Sequence, residues 1–362
     1  MDDSVEPTSS FPASLLFDDK FRVRRLIIVV ILALTAAWGA AIYAAAVHDH
    51  VLELPGTGKG LLEHYGFIAC FLTGPLVLLN TYFALAYFLR LIEDIGQFLV
   101  DGAQRKAAAD IVKPHVDSAL LRGRWKYMLF LFAFIGAAVS LADFAQLDRP
   151  EDYWGNDVFN ARSYTASWLA ANSYLLILWS IIYPIGLFYI LHLAISSQLI
   201  VANLMRRQML RLNFLHIDRC AGMAKFGTLN LLLMVIYFWM ALAALALHLT
   251  HRATYASLVI GGIAVTILFI AHSIFGIAWV AKAIRTQRDD AVVSLNDRIQ
   301  KMMGNDKSRF TAAVATMAYR DRVLAVASFP YSGGISYAVN FLRVAPAAFV
   351  VAKHFAPGLA LS

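Results

Sequence analysis

Long apolar runs separated by short polar segments dominate the chain. Between Ser163 and Met205 there is no Asp, Glu, Lys or Arg. A helix needs about 20 apolar residues to cross a hydrocarbon layer about 30 Å thick, and five other charge-poor runs reach or approach that length. The six predicted spans are residues 26–47, 64–89, 127–142, 163–205, 226–251 and 253–281.

The fourth run is roughly twice as long as one crossing requires. Either Pro184, near its middle, bends the run inside the lipid, or its second half leaves the lipid as a helix. Residues 91–99, 199–209 and 292–317 carry apolar positions at helical spacing beyond the predicted spans, which favours the second alternative. We therefore predict an all-α, polytopic membrane helix bundle of six transmembrane helices with a helical cytoplasmic layer.

Composition and the placement of charge agree with this topology. Hydrophobic residues make up 60% of the 362 and charged residues 15%, which excludes a soluble domain. Of the 31 Lys and Arg, 27 fall in segments that would share one side of the membrane. The positive-inside rule then predicts a multi-pass protein of the bacterial inner membrane with both termini cytoplasmic. Attraction to lipid headgroups explains the net charge of +7 without a nucleic-acid partner.

Three regions are predicted along the chain. Residues 1–19 form a disordered cytoplasmic tail, residues 20–285 the six-span domain with its cytoplasmic extensions, and residues 286–362 a cytoplasmic or interfacial helical region. The last apolar stretch, residues 335–352, contains Arg343 and Pro346 near its centre, which favours an interfacial position because a charge at mid-bilayer is unfavourable. A re-entrant or seventh spanning segment remains the alternative.

No charged residue lies in the middle of a predicted span, which argues against a proton- or sodium-coupled carrier. Uncharged polar side chains are expected to form interhelical hydrogen bonds, with a pore or ligand contact as the alternative. These candidates are Asn80, Asn172, Tyr183, His192, Asn230 and His272. Acidic residues of the outer loops could concentrate cations at a pore mouth, and the candidates there are Asp143, Asp148 and Asp152.

The segment after the fourth span is predicted to be a cytoplasmic elbow. Gly222 would release the chain into the fifth span, and Asp218 would lie near the N-terminal end of that helix, where a negative charge is favoured. His216, Asp218 and Cys220 alternate as metal ligands could, but three candidates beside cationic neighbours are a poor site. His48, Asp49, His50 and His64 form a second weak metal candidate. We therefore predict no metal, no cofactor and no catalytic residue, and a protein that is not an enzyme.

Two short motifs in the second half of the chain resemble motifs of a known protein family. The heptapeptide His216-Ile-Asp-Arg-Cys-Ala-Gly222 is followed about a hundred positions later by Phe329-Pro-Tyr-Ser332. The pair resembles a bacterial family of multi-pass inner-membrane proteins with a His-Pro-Asp-x-x-Gly-Gly-Leu motif and a late Trp-Pro-Phe-Asp. Ile217, Ala221 and Ser332 depart from that pattern. The resemblance implies a multi-pass membrane protein and brings no activity with it.

The expected function is channel-like permeation of ions or small solutes by a homo-oligomer in the lipid bilayer. Uncharged spans and acidic outer loops motivate this expectation. The alternative is a membrane sensor or scaffold that binds a cytoplasmic protein partner through its cytoplasmic helices, and a carrier for a lipid or apolar solute comes third. The first span repeats Ala33, Ala37, Ala41 and Ala45 on one face, which we expect to pack inside the bundle.

Overall fold

The computed structural model describes residues 20–52, 60–96, 100, 104–145, 165–250, 277–303 and 310–331. Within these ranges the fold is all-helical, and the extended backbone pairs only at an isolated antiparallel bridge between Val100 and Leu210. The helices are α1 (Lys20–His48), α2 (Tyr65–Asp94), α3 (Arg105–Ala119), α4 (Trp125–Ala145), α5 (Ala166–Ile177), α6 (Tyr183–Arg206), α7 (Ala224–Thr250), α8 (Ala278–Met303) and α9 (Phe310–Leu324).

Four of the six predicted spans are confirmed as helices long and apolar enough to cross a membrane. They are Leu26–His48, Gly66–Asp94, Ala166–Arg206 and Ala224–Ala243. In α4, which contains the third predicted span, the apolar part Trp125–Ala138 is shorter than these four. The protein is therefore an all-α membrane protein with four candidate spanning helices in its described part, and the count of six stays a prediction.

Several sequence-based predictions lie outside the described residues. They concern the tail 1–19, most of the sixth span, His272, Asp148, Asp152 and residues 335–352. Asp143 lies in α4, where only the backbone is described. The boundary proposed at residue 285 falls inside the continuous helix α8.

Helices α2 and α7 form the central antiparallel pair of the bundle. Near the start of α2, the Cys70 thiol lies 3.7 Å from the carbonyl oxygen of Ala243, near the end of α7. At the opposite end, the Lys225 ammonium donates to the Asp94 carboxylate. Cys70 and Cys220 are therefore at opposite ends of this pair, and both are buried free thiols.

Pro75 lies inside α2 and leaves the carbonyl of Phe71 without the usual amide donor four residues later. The Tyr174 hydroxyl from α5 donates to that carbonyl at 2.8 Å. A side chain at Gly74 would collide with the Tyr174 hydroxyl, at 2.3 Å from an added Cβ. The Gly74-Pro75 pair thus lets a tyrosine of another helix replace the missing backbone bond, which lipid could not supply.

Helices α5 and α6 form one continuous helix of 41 residues, joined by the π-helical turn Leu178–Ile182. The wide turn places Pro184 in the first turn of α6, where its missing amide hydrogen is tolerated. The π turn therefore allows the helix to continue through Pro184.

The C-terminal half of α6 extends past the level at which α4 begins. The His192 ring lies 5.0 Å from the Trp125 ring at the start of α4, and its Nε2 is 2.8 Å from the Ser118 hydroxyl of α3. Fourteen residues of α6 follow His192 before the helix ends at Arg206. The overshoot is therefore helix, as the second alternative predicted, while its cytoplasmic position remains a prediction.

The expectation that the alanine face of α1 packs inside the bundle is wrong for the single chain. Ala33, Ala37 and Ala41 are exposed, and Ala45 is half-buried. The other side of α1 makes the contacts, because Ile42 is buried and the Trp38 indole donates to the Ala170 carbonyl of α5 at 3.3 Å. The larger side chains of that side bury more surface than a row of methyl groups does.

Candidate functional site at the elbow junction

The elbow is built around the carboxylate of Asp218. Its Oδ1 accepts hydrogen bonds from the backbone amides of Cys220 at 2.8 Å and Gly222 at 3.1 Å. Its Oδ2 accepts from the amide of Ala224, the first residue of α7, at 3.1 Å. One side chain therefore satisfies two amides of the elbow turn and the first amide of α7, which has no carbonyl of its own helix to bond.

The electrostatics of Asp218 follow from these bonds. Burial disfavours its charged form, but the three backbone hydrogen bonds outweigh that effect and lower the pKa of the carboxyl. His216 Nδ1 lies 3.0 Å from Asp218 Oδ1 and 3.3 Å from the Asp218 amide. The imidazole donates to the carboxylate when Nδ1 is protonated and accepts from the amide when it is not.

The tight path of the elbow depends on left-handed backbone conformations. Arg219 and Ala221 have φ values of 55° and 56°, and Gly222 has 86°. The two non-glycine residues adopt a conformation that L-residues seldom occupy. The surrounding hydrogen bonds therefore have to hold this backbone in place.

A distant segment closes over the elbow. The Ala327 amide donates to the Arg219 carbonyl at 2.9 Å, and the Cys220 thiol lies 3.6 Å from the Phe329 carbonyl. Further along α7, Asn230 Nδ2 donates to the Tyr331 hydroxyl at 2.8 Å. We call residues 216–230 together with 325–331 the elbow junction. It unites parts of the two short motifs that lie about a hundred positions apart.

Gly227 allows this closure. A Cβ added there would lie 1.9 Å from the carbonyl oxygen of Pro330. Only a residue without a side chain lets the Pro330 backbone lie directly against α7.

Side chains from one turn of α8 contact the elbow junction and the chain that leads into it. Arg288 donates to the Ser328 hydroxyl at 3.0 Å, and the Arg285 guanidinium lies 4.9 Å from the centre of the Phe329 ring. Between them in sequence, Gln287 accepts from the Leu212 amide at 3.1 Å and donates to the Leu210 carbonyl at 2.7 Å. The same turn therefore holds the chain leaving α6 and the closing segment.

The polar groups of the junction have a structural role. Burial and the neighbouring Asp218 charge raise the pKa of the Cys220 thiol to about 11, so it is protonated at neutral pH and a poor nucleophile. Both carboxylate oxygens of Asp218 accept hydrogen bonds from backbone amides. Within the described ranges, no group of three His, Cys, Asp or Glu side chains is arranged to hold a metal ion.

The side chains of the weak metal candidate that follows the first span also have other partners. Asp49 accepts from the Ser167 amide at the start of α5 at 2.6 Å, and His64 accepts from the Phe67 amide at the start of α2 at 3.0 Å. Burial opposes the charge of Asp49, but hydrogen bonds from Ser167 and His48 outweigh it and lower its pKa. These side chains cap two different helices.

The polar candidates within the spans contact different partners. Asn172 donates to the Trp168 carbonyl at 2.9 Å, the Tyr183 hydroxyl is 2.9 Å from the Thr73 hydroxyl, and His192 pairs with Ser118. Asn80 is half-buried in α2. The described candidates are thus spread over separate helix contacts and do not converge on one path.

Sequence reasoning placed Asp218 near the start of α7 but missed the residues that fasten the junction. Gln287 and Arg288 lie within the amphipathic pattern of α8, and nothing local marks them as partners of the elbow. The glycine Gly227, isolated near the start of an apolar helix, was the available signal, because such a glycine often marks a close backbone approach.

The chain matches no family model, no curated protein and no solved structure. The resemblance of the two motifs to a bacterial membrane family therefore stays a prediction.

Replacing Asp218 with Ala should destabilise the protein by about 1–2 kcal/mol at neutral pH, because the start of α7 loses its cap. The folded-state pKa of Asp218 lies below the unfolded value, so its contribution is complete above the unfolded pKa and is lost as the pH falls through the folded pKa. Thermal unfolding in detergent from pH 7 into strong acid measures this: the gap to the wild-type protein should close with acid. Asp297→Ala, at an exposed position of α8, is the control. A gap that stays constant with pH would contradict the capping role.

Replacing Gly227 with Ala should displace the closing segment from the elbow, since the new Cβ has no room beside Pro330. Cys220 would then react faster with a maleimide in a protein whose Cys70 has been changed to Ala, and the thermal midpoint would fall. Thr228→Ala, one position along the same helix and half-buried, should leave the labelling rate unchanged. Equal labelling of the wild-type and Gly227→Ala proteins would show that the junction does not shield the thiol.

Proposed function

We propose that the protein is a membrane-embedded sensor or scaffold that binds a protein partner through the hairpin formed by α8 and α9. The supporting observation is the set of large apolar side chains that this hairpin exposes. Phe310 is 66% exposed and Val293 61%, and Val314 and Leu324 are also exposed. Neither helix is among the candidate spans, and exposed apolar patches of this kind are typical of interaction sites.

The hairpin is a defined structure that could present such a surface. Arg320 of α9 donates to the Asn296 side chain of α8 at 3.4 Å, and Arg288 donates to the Val326 carbonyl at 3.4 Å. Val293 and Leu324 lie between these two cross-contacts. Phe310 and Val314 are one helical turn apart and share a side of α9.

Charged side chains surround the apolar positions. Along α8, Asp290, Asp297, Arg298 and Lys301 line a shallow surface groove together with Val293. Apolar contacts within a polar rim are the usual anatomy of a protein interface. We therefore expect a partner that offers apolar side chains flanked by charges of both signs.

A photo-crosslinking phenylalanine at Val314 of the full-length protein in cells should yield a heavier adduct of discrete mass. The same group at Tyr319, which is also exposed on α9 but faces the opposite side, should not. Val293→Asp should abolish the adduct without lowering the thermal midpoint, because it places a charge on the apolar patch at a side chain that is 61% exposed. Equal yields at positions 314 and 319, or an adduct of twice the mass of the chain, would overturn partner binding.

A homo-oligomeric channel is the second candidate, and the exposed alanine face of α1 favours it. Small residues let helices of neighbouring copies approach closely in lipid. Among the polar candidates, Asn172, Tyr183, His192 and Asn230 bond within one chain, so a pore is expected to form between copies.

Purified protein in planar bilayers tests this candidate. A channel should conduct, and Ala37→Leu should reduce the conductance by separating the copies, whereas Leu34→Ile, at an exposed position of the same helix, should not. An absence of conductance for every ion and voltage tested would contradict the channel hypothesis.

A further inference from the structure

The elbow exposes large apolar side chains at its outer tip, residues 215–217. Ile217 is 94% exposed, the highest value among the large hydrophobic residues of the described ranges, and Leu215 is 58% exposed. In the closing segment, residues 325–331, Phe329 is 46% exposed. A hydrogen bond from the Ala327 amide to the Arg219 carbonyl joins this segment to the elbow. The elbow junction therefore presents three large apolar side chains on two connected segments.

Basic side chains accompany these apolar positions. Residues 206–230, 278–288 and 325–331 contain eight Lys and Arg and one acidic residue, Asp218, whose carboxylate accepts bonds from backbone amides. Lys225 and Arg288 form ion pairs with Asp94 and Asp289. The other six basic residues are exposed, and they are Arg206, Arg207, Arg211, Arg219, Lys282 and Arg285.

Contacts between the helices bring several of these charges close together. The Arg206 guanidinium and the Lys282 ammonium lie 5.8 Å and 4.9 Å from the centre of the Trp279 ring. Arg285, one turn further along α8, lies over the Phe329 ring. Like charges at such spacing repel one another, and the field they produce attracts a partner of negative charge.

The length of the α5–α6 helix restricts the class of partner. Its 41 residues extend about 61 Å, whereas a bilayer with its headgroups is about 40–45 Å thick, and even a tilt of about 40° leaves the helix longer than that. The candidate span α1 ends beside the start of α5, because Asp49 accepts from the Ser167 amide. The excess length therefore lies at the elbow end, which favours a partner in water over a lipid headgroup.

The aliphatic side chains of the tip favour a protein over a nucleic acid. Basic surfaces recognise nucleic acids through phosphates, base edges and aromatic stacking, and Ile217 and Leu215 take part in none of these. Carboxylates and apolar side chains on one polypeptide segment match both features of this surface.

We propose that the elbow tip and the basic residues around it bind an acidic, amphipathic segment of a partner protein. Apolar side chains of the partner cover Ile217 and Leu215, and its carboxylates pair with exposed basic residues such as Arg207 and Lys282. This surface shares no residue with the partner surface on the α8–α9 hairpin, so the two proposals succeed or fail separately.

The test uses the full-length protein in nanodiscs of zwitterionic lipid, with empty nanodiscs as the blank, and three fluorescent peptides of equal length. The first peptide repeats Glu-Glu-Leu-Leu, the second has serine in place of leucine, and the third has lysine in place of glutamate. The first should bind about tenfold more tightly than the other two, because it alone carries both carboxylates and apolar side chains. Its affinity should fall as the salt concentration rises.

Matched variants locate the binding. Ile217→Ser should weaken binding of the first peptide about tenfold, because the leucines lose apolar surface to cover. Lys282→Glu should weaken it by a similar factor, because it places a negative charge among the basic residues. Val293→Ser and Lys301→Glu make the same changes at exposed positions of the α8–α9 hairpin and should leave binding unchanged. The thermal midpoint of each variant checks that it is folded.

Several outcomes would overturn the proposal. They are an absence of binding by the first peptide, equal binding of the leucine and serine peptides, and an equal loss of affinity in the hairpin variants. Tighter binding of a single-stranded oligonucleotide at the same salt concentration would assign the surface to nucleic acid. Displacement of the peptide by vesicles of anionic phospholipid would assign it to lipid, and a photo-crosslinker at position 217 that joins two chains would assign it to a second copy.

Discussion

Every backbone polar group in a hydrocarbon layer must find its partner within the protein, and the packing of this bundle follows from that constraint. Pro75 removes an amide from α2, and Tyr174 supplies the missing bond to the Phe71 carbonyl at 2.8 Å. That hydrogen bond fixes the distance between α2 and α5. The Tyr174 hydroxyl can reach the Phe71 carbonyl only because residue 74 has no side chain. The second proline in a span, Pro184, meets the same constraint through a π turn rather than a side chain.

The same constraint operates where the chain leaves the spans. The first amides of α7 have no helical partners, and Asp218 bonds the first of them, at Ala224, together with the amides of Cys220 and Gly222 in the preceding turn. A carboxylate is better suited to this position than a neutral acceptor, because it also interacts favourably with the helix dipole. The elbow is therefore both the turn between two long helices and the cap of the second, and this dual role explains its strained backbone at Arg219 and Ala221.

Local patterns predicted the helices well, and contacts between distant residues could not be predicted from them. The limits of the long fourth span follow from charge: the uncharged run ends at Met205, and the helix ends at Arg206. Asp218 was placed near α7 because helix starts favour negative charge. In contrast, no periodicity relates Gly227 to Pro330 or Gln287 to Leu210. The side of α1 that faces the bundle was predicted wrongly, because close approach depends on Gly39, against the Phe71 ring, and not on the more regular alanines.

The elbow junction gives the proposed partner surface a mechanical connection to the spans. Arg288 lies on the same helix as Val293, little more than one turn away, and it holds Ser328 of the segment that closes over Cys220. A partner that shifts α8 along its axis must therefore strain the closing segment, whose Tyr331 hydroxyl is bonded to Asn230 inside α7. Because α7 is packed along α2, such strain acts on the central pair of the bundle rather than on a peripheral helix. The proposed sensor function depends on contact between the partner surface and the membrane part, and the side chains of α8 at the junction make that contact.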